Sequence, residues 1–332
     1  MRLALDAMGG DHAPEVCVRG ALDAVREHGL EVTLVGDEAA LASELDEAGE
    51  IPPGLHVHHA SQVVEMEDHP STALRRKKDS SLRVACELVR SGEADAMISA
   101  GNSGAALAMG MFVLKRVPGV VRPAIAAVFP TTHGPVALLD AGANVECKPD
   151  MLRQFAVLGA AFSEVCLGVE RPRVGLLSNG EEDEKGTDLT RAAHALIREL
   201  PLDYRGYVEG REVFRGAVDV VVTDGFTGNV VLKVAEGVIE QVGAQLRKSA
   251  RATLPSMLGA LLMRGAFRRT KETIEYSEIG GALLLGVQGC VVITHGRADA
   301  RALTNALRFG ARVVGDGLDA RLREQLAAAK GR

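Results

Sequence analysis

A chain of 332 residues, 47% hydrophobic and 25% charged, can bury a large core, which excludes disorder and points to one large or two medium α/β domains. A formal net charge of −6 excludes a generally basic nucleic-acid binder, and the absence of Trp argues against base-stacking surfaces, so no nucleic-acid partner is expected. Cys17, Cys86, Cys147, Cys166 and Cys290 are widely spaced without a C-x-x-C pair, and suggest neither a disulfide framework nor a zinc site.

The chain opens with Arg2-Leu-Ala-Leu-Asp6, a strand pattern with no basic n-region, apolar h-region or cleavage site, so a cytoplasmic protein is expected. No apolar run approaches the roughly 20 residues that span a bilayer, which leaves contact with a membrane surface open. Leu3 to Asp6 is a predicted strand, Ala7 to Pro14 a loop carrying Gly9, Gly10, Asp11 and His12, and Glu15 to His28 an amphipathic helix. Strands over Glu31 to Val35 and Leu55 to Ala60 flank a helix over Glu38 to Ala48, an alternation that builds parallel sheets. Arg75, Arg76, Lys77 and Lys78 then form a run of four cations, followed by hydroxyls that would cap a helix over Leu82 to Ser91. Such a run suits a solvated face, or a contact with phosphate or an acidic partner.

Asp95 to Gly104 is the stretch around which the rest is read. Ala96, Met97 and Ile98 suit a strand buried on both faces, and Ala105 to Leu114 is a run of good helix formers. Between them stand only Ser99, Ala100, Gly101, Asn102, Ser103 and Gly104. Small residues at a helix start let backbone N–H groups and two hydroxyls converge where the helix dipole favours an anion. That describes a phosphate-sized site, or a tight strand-to-helix turn that Gly101 and Gly104 merely permit.

A hairpin over Ala124 to Phe129 and Val136 to Leu139 ends in a second small-residue loop, Asp140 to Asn144, ahead of a helix over Asp150 to Val165. The strand–loop–helix unit recurs as Arg173 to Leu177, Ser178 to Gly186 and Thr187 to Leu200. It recurs again as Val218 to Thr223, Asp224 to Asn229 and Val230 to Lys248. Gly280, Gly281 and Gly286 bracket an apolar segment, Cys290 to Thr294 is a strand ending at His295-Gly296, and two helices close the chain. At least five strand ends thus run into polar small-residue loops, and in a doubly wound sheet these ends are expected to face one ligand crevice.

Neither a G-x-G-x-x-G nor a G-x-x-x-x-G-K-[ST] spacing occurs, so a nucleotide is not the first expectation. Lys185, at a loop end, and Lys233, in the first turn of a helix, could meet an anion or simply be surface lysines. No G-x-S-x-G, H-E-x-x-H or local Cys–His signature advertises a protein nucleophile, and no carboxylate cluster demands a metal. His12 and His295 are candidates for substrate contact; His56, His58 and His59 alternate along a strand and read as structural or surface residues.

Residues 247–271 carry Arg247, Lys248, Arg251, Arg264, Arg268, Arg269 and Lys271 without an acidic residue. Leu254, Met257, Leu258, Leu261 and Leu262 recur at three- and four-residue steps, a stripe along one side of a helix. This amphipathic basic insert, 247–272, fits the headgroup plane of a membrane or a dimer interface. No linker marks a boundary elsewhere: residues 1–332 read as one large α/β unit that could divide into two lobes.

With Leu5 to Pro14, Ala73 to Ser81, Ser99 to Gly104, Leu139 to Asn144, Gly228-Asn-Val-Val-Leu-Lys233 and Gly280 to Gly286 in order along nearly the whole chain, the sequence resembles the PlsX family, the acyl-ACP:phosphate acyltransferases. The resemblance implies a doubly wound, mostly parallel α/β sheet of the isocitrate/isopropylmalate-dehydrogenase-like architecture, a homodimer, no cofactor, and acyl-phosphate made from acyl-carrier protein and inorganic phosphate for phospholipid synthesis. It also implies a place at the membrane periphery, next to a downstream membrane glycerol-3-phosphate acyltransferase. On that basis Ser99, Gly101, Asn102, Ser103 and Gly104 are expected to hold phosphate, with Asn144, Asn229, Lys185 and Lys233 as anion or oxyanion donors. Asp6, Gly9, Gly10, Asp11, Asp224, Gly228, Gly281 and His295 are expected to line the substrate loops, Asp11 and Asp224 orienting donors. Arg75, Arg76, Lys77 and Lys78 are expected to dock the acidic carrier.

Four positions depart from the family pattern: Ser103 stands for Thr, Leu283 for Pro, and Arg297-Ala298 for Ser-Ser. Rival readings are a short-chain phosphotransacylase, a decarboxylating dehydrogenase of the same architecture, and a non-enzymatic lipid- or carrier-binding protein.

Overall fold

The computed structural model describes the backbone of residues 1–274 and 280–330 and the side chains of 1–269 and 280–329. Lys271 of the basic insert therefore lies outside the described side chains.

The opening alternation folds as β1 (Arg2–Asp6), α1 (Glu15–His28), β2 (Glu31–Gly36), α2 (Glu38–Ala48) and β3 (Leu55–His59). Next come α3 (Pro70–Arg76), α4 (Ser81–Ser91), β4 (Ala96–Ser99) and α5 (Ser103–Met109), which runs on into a π-helical turn, Gly110–Leu114. The hairpin β5 (Ala124–Thr131) and β6 (Gly134–Leu139) leads to α6 (Pro149–Leu167), β7 (Arg173–Ser178), α7 (Asp188–Arg198), β8 (Asp203–Glu209) and β9 (Val220–Val222). The chain closes with α8 (Gly225–Ala250), α9 (Leu254–Leu262), α10 (Arg264–Ile274), β10 (Ala282–Leu285), β11 (Cys290–Ile293), α11 (Ala300–Gly315) and α12 (Leu318–Lys330).

Among the segments that depart from the sequence expectation, two have reasons in their local sequence. Gly225 and Gly228 lower helix propensity, so Asp224 to Asn229 reads as a loop. In the fold it is the first turns of α8, because Asp224 caps them: its carboxylate accepts from Thr227 N and Thr227 Oγ1, both at 2.8 Å. β8 has no counterpart in the reading, since Arg205-Gly206 interrupts its alternation and Gly206 sits at φ 86°.

One sheet runs in the order β3-β2-β1-β4-β11-β10-β5-β6-β9-β7-β8. β3, β2, β1, β4 and β11 pair in parallel, as do β6, β9, β7 and β8. Between these blocks β10 is antiparallel to β11 and β5, and β5 is antiparallel to β6. The second block therefore runs opposite to the first, which corrects the expectation of a single crevice: the polar loops gather as two sets with opposed strand directions.

Alternation along the central strands divides the core between the two faces. Leu3, Leu5 and Ile98 join one apolar cluster with residues of α1, α6, α11 and α12; Ala4 and Met97 join the other with residues of α4 and α5.

The basic insert leaves the body as α9 and α10. No residue of α9 is buried, and Leu254 and Leu262 are 82% and 81% exposed, with Met257, Leu258 and Leu261 exposed beside them. A longer apolar stripe escaped the sequence reading: Phe226, Val230, Val234, Val238, Val242 and Leu246 recur every fourth residue of α8, all exposed. Among the described residues no helix is long and apolar enough to cross a membrane.

Candidate active site

The first loop set sits at the carboxyl ends of β1, β4 and β11, where parallel register places Asp6 beside Ser99 and Ser99 beside Ile293. Ser99 Oγ donates to Asp6 Oδ2 at 2.7 Å and accepts from Gly101 N at 3.0 Å, so a buried carboxylate fixes the hydroxyl that holds the turn. Asp6 Oδ1 is buried without a hydrogen-bond partner. Burial pushes the Asp6 carboxyl up from its ordinary value, against the pull of Ser81, Ser99 and the Met8 backbone. Gly9 closes over this carboxylate: a Cβ there would stand 2.5 Å from Asp6 Oδ2 and 2.9 Å from Gly101 N. Gly10 packs on Gly296 and Ala100, and Asp11 N donates to Gly296 O at 2.8 Å, which ties the β1 loop to the β11 loop.

Asn102 caps α5 rather than facing a ligand. Its Oδ1 accepts from Ala105 N at 2.9 Å, and its Nδ2 donates to the carbonyls of Glu65, Met66 and Asp68. The side chain is spent on anchoring the 65–68 loop, which leaves the N–H groups of Ser103 and Gly104 and the exposed Ser103 hydroxyl at the open helix start. His295 is exposed, with Nδ1 accepting from Arg297 N at 3.1 Å, and Gly281 lies against the Ile293 carbonyl.

The second set is organised by Asp140, which no reading of side-chain chemistry singled out. Its Oδ1 accepts from Ile125 N, Gly142 N and Ala143 N, and its Oδ2 from Asn144 N and Asn144 Nδ2. Asn144 Nδ2 also donates to Pro123 O at 2.8 Å, so both of its N–H bonds are used inside the protein. The α8 start docks on this loop: Gly225 N donates to Asn144 O at 2.7 Å, Gly228 lies against the Asp140 carbonyl, and the Asn229 side chain reaches Gly142. Asn229 is exposed, and among the described residues its amide has no hydrogen-bond partner.

Both lysines lie at the protein surface. Lys233 is exposed and paired with Glu236 at 2.8 Å, and Lys185 is exposed in the β7–α7 loop, its stem beside Gly180. In the four-cation run, Arg75 folds back onto Ser71 and Lys77 binds Asp68 and the Val63 carbonyl, while Arg76 and Lys78 are exposed.

β4 and β6 are four strand steps apart, roughly 19 Å at ~4.8 Å per step, so the two sets flank the α5 face of the sheet. Ala141, Ala143 and Leu232 of the second set join the same apolar cluster as Ala105, Ala106 and Met109 of α5. An apolar cavity of about 190 Å³, lined by Cys290, Val313 and Leu322, lies at the amino ends of β4 and β11, away from the first set.

Every thiol is held protonated by its surroundings. Burial pushes Cys147 up to about 11 and Cys166 and Cys290 up to about 12, and raises Cys17 and Cys86 as well. None of the five is a ready thiolate at neutral pH.

Known proteins fit this arrangement. The family described as fatty acid synthesis protein matches residues 1–321. A phosphate acyltransferase of Geobacter sulfurreducens is 53% identical over 326 residues, covering 98% of this chain and 94% of that one. A phosphate acyltransferase of Myxococcus xanthus is 55% identical over 327 residues, covering 97% and 92%. Among solved structures, the EutD phosphotransacetylase from Staphylococcus aureus superposes with a TM-score of 0.61 at 16% identity, over 95% of this chain and 94% of that one. The 4-hydroxythreonine-4-phosphate dehydrogenase from Klebsiella pneumoniae superposes with a TM-score of 0.55 at 15% identity, over 95% and 99%; the likeness of both is in the fold. The expected α/β architecture and the expected family both stand: the chain belongs to the fatty acid synthesis protein family, that of the phosphate acyltransferases, and is an acyltransferase.

Proposed function

We propose that the protein transfers a long-chain fatty acyl group from acyl-carrier protein to inorganic phosphate, giving acyl-phosphate for phosphatidic acid and phospholipid synthesis. The observation that carries this reading is an open helix start at Ser103 and Gly104 in a chain whose five thiols are all kept protonated. An anion site without a protein nucleophile suits a reaction in which the anion itself attacks.

In this reading a phosphate oxygen forms a bond to the thioester carbonyl carbon, the tetrahedral oxyanion collapses, the C–S bond breaks, and the phosphopantetheine thiolate leaves and takes up a proton. No acyl-enzyme forms. The protein holds the anion, orients it and stabilises the oxyanion. Phosphate sits on the Ser103 and Gly104 amides over the Asp6–Ser99–Gly101 network, and Asn229 offers its open amide toward the thioester. Asn144, Asp11 and Asp224 act by shaping the loops, and Lys185 and Lys233 add positive charge. In this reading the substrate spans the α5 face, where Ala141, Ala143 and Leu232 of the second set share an apolar cluster with α5.

The test is to incubate the protein with long-chain acyl-carrier protein, with and without phosphate, and follow the carrier thiol and acyl-phosphate together. Phosphate-dependent release of both is expected. Carrier binding without turnover would sink this reading and favour a binding protein.

The same reading puts the protein in the cytoplasm as a homodimer joined along the α8 stripe. It touches the inner face of the membrane through α9, where the product passes to a membrane glycerol-3-phosphate acyltransferase. Two double variants separate the surfaces. Leu258→Glu with Leu261→Glu is expected to abolish sedimentation with anionic vesicles while the dimer persists; Val234→Glu with Val238→Glu is expected to give monomers in analytical ultracentrifugation. The reverse pattern would exchange the two roles.

A further inference from the structure

The π-helical turn Gly110–Leu114 and the segment after it enclose an open groove of about 650 Å³. Met111, Phe112 and Val121 give it an apolar side, Lys115, Arg116 and Arg122 a cationic one, and no acidic residue lines it. Phe112 is 66% exposed, so an aromatic ring stands in solvent beside three cations. Among the described residues none of the three pairs with a carboxylate. In a protein of net charge −6 this is a local reversal of sign.

The groove is a built surface. Arg116 Nη1 donates to the carbonyls of Val120 and Val121; Val121 N donates to Gln154 Oε1 at 2.8 Å, and Gln154 Nε2 to Gly119 O at 2.9 Å. Gln288 donates from its backbone N to Lys115 O at 2.9 Å and from Nε2 to Arg116 O at 3.0 Å. These bonds hold Lys115 at φ 70°, a conformation that residues other than glycine seldom adopt. The inner end adjoins the second loop set, because the Pro123 carbonyl, next in sequence to Arg122, accepts from Asn144 Nδ2 at 2.8 Å.

We propose that this groove is the docking surface for an acidic carrier protein bearing the acyl thioester, and this rests on the acyl-carrier reading above. Charge complementarity selects the occupant. The protein as a whole repels an acidic partner, so attraction must come from a local cationic surface, and the exposed ring gives such a partner an apolar contact. A flexible prosthetic arm entering from this end meets the Asp140–Asn144 loop and the start of α8. The Arg75–Lys78 run is less suited, since Arg75 and Lys77 are already engaged within the protein.

The experiment measures steady-state turnover of a long-chain acyl-carrier protein with phosphate at low and high salt. It compares the wild-type chain, a Lys115→Glu/Arg122→Glu variant, the milder Lys115→Gln/Arg122→Gln variant and Arg75→Glu/Arg76→Glu. Arg116 is left intact because it holds the groove together. The glutamate pair is expected to raise the KM for the carrier about tenfold at low salt and to flatten its salt dependence, the glutamine pair by less, with the KM for phosphate unchanged. A wild-type chain that does not turn over the carrier with phosphate defeats the underlying reading. A wild-type chain that does, with a carrier KM within twofold in both groove pairs, overturns the groove alone. Loss of vesicle binding or of dimer formation in the groove variants, at unchanged carrier KM, also overturns it and assigns the surface to lipid or to a second copy.

Discussion

Replacing Gly228 by Ala is expected to cost about 3 kcal/mol of stability or more and to lower activity at least about a hundredfold. By helix propensity alone the change should help, because Ala is about 1 kcal/mol better than Gly in a helix interior. The structure reverses the sign. A Cβ at Gly228 would run into the backbone carbonyl of Asp140, and that carbonyl belongs to a buried residue whose carboxylate is bonded from Ile125 to Asn144. Neither side can yield like the end of a flexible side chain, so α8 must lift off the loop and carry Asn229 away from Gly142. Gly243 in the same helix is the control. It lies about half a turn from Val234 itself, and a Cβ there would meet only the end of the Arg247 side chain, at 3.4 Å. Gly243→Ala is expected to stabilise by up to about 1 kcal/mol without loss of activity. Urea denaturation and turnover of the two variants make the comparison, and a Gly228→Ala protein as stable and active as wild type would remove this junction from the account.

Local patterns were legible where local physics decides. The helix expected over Glu15 to His28 forms with those bounds because its apolar positions recur at helical spacing and Gly29, at φ 62°, ends it. The opposed polarity of the two blocks was not legible. It depends on β10, a four-residue strand that returns between β11 and β5 long after both the hairpin and β4 have been made. Nothing in Ala282 to Leu285 states which neighbours it will pair with. The candidate site divides in the same way. Small-residue loops at Ser99 to Gly104 and Asp140 to Asn144 could be recognised from composition, but which amides are spent and which stay open is a matter of partners far along the chain. Asn102 is consumed by the carbonyls of residues 65, 66 and 68, and Asn144 by Pro123 and Asp140.

That distinction gives the second large effect. Asn229→Ala is expected to lower kcat by about 10²–10³, the usual consequence of removing one oxyanion donor, with little change in stability. The exposed Asn229 amide has no hydrogen-bond partner among the described residues, so its removal leaves no buried group unsatisfied. Asn144→Ala should behave in the opposite manner. Both of its N–H bonds are internal, and deleting them strips one donor from Asp140 Oδ2 and one from the Pro123 carbonyl, a loss of about 1–3 kcal/mol. Its fall in activity should follow loss of folded protein and recover at low temperature or with a stabilising osmolyte, whereas that of Asn229→Ala should not. The KM for phosphate is the further discriminator, since Asn229 acts on the thioester and Ser103 and Gly104 on the anion. If Asn229→Ala keeps wild-type kcat, the second loop set takes no part in the chemistry and the reaction must be carried by the first set alone. An unchanged kcat with a raised KM for the carrier would instead make the α8 start a binding surface for the acyl donor, continuous with the groove beside Arg122.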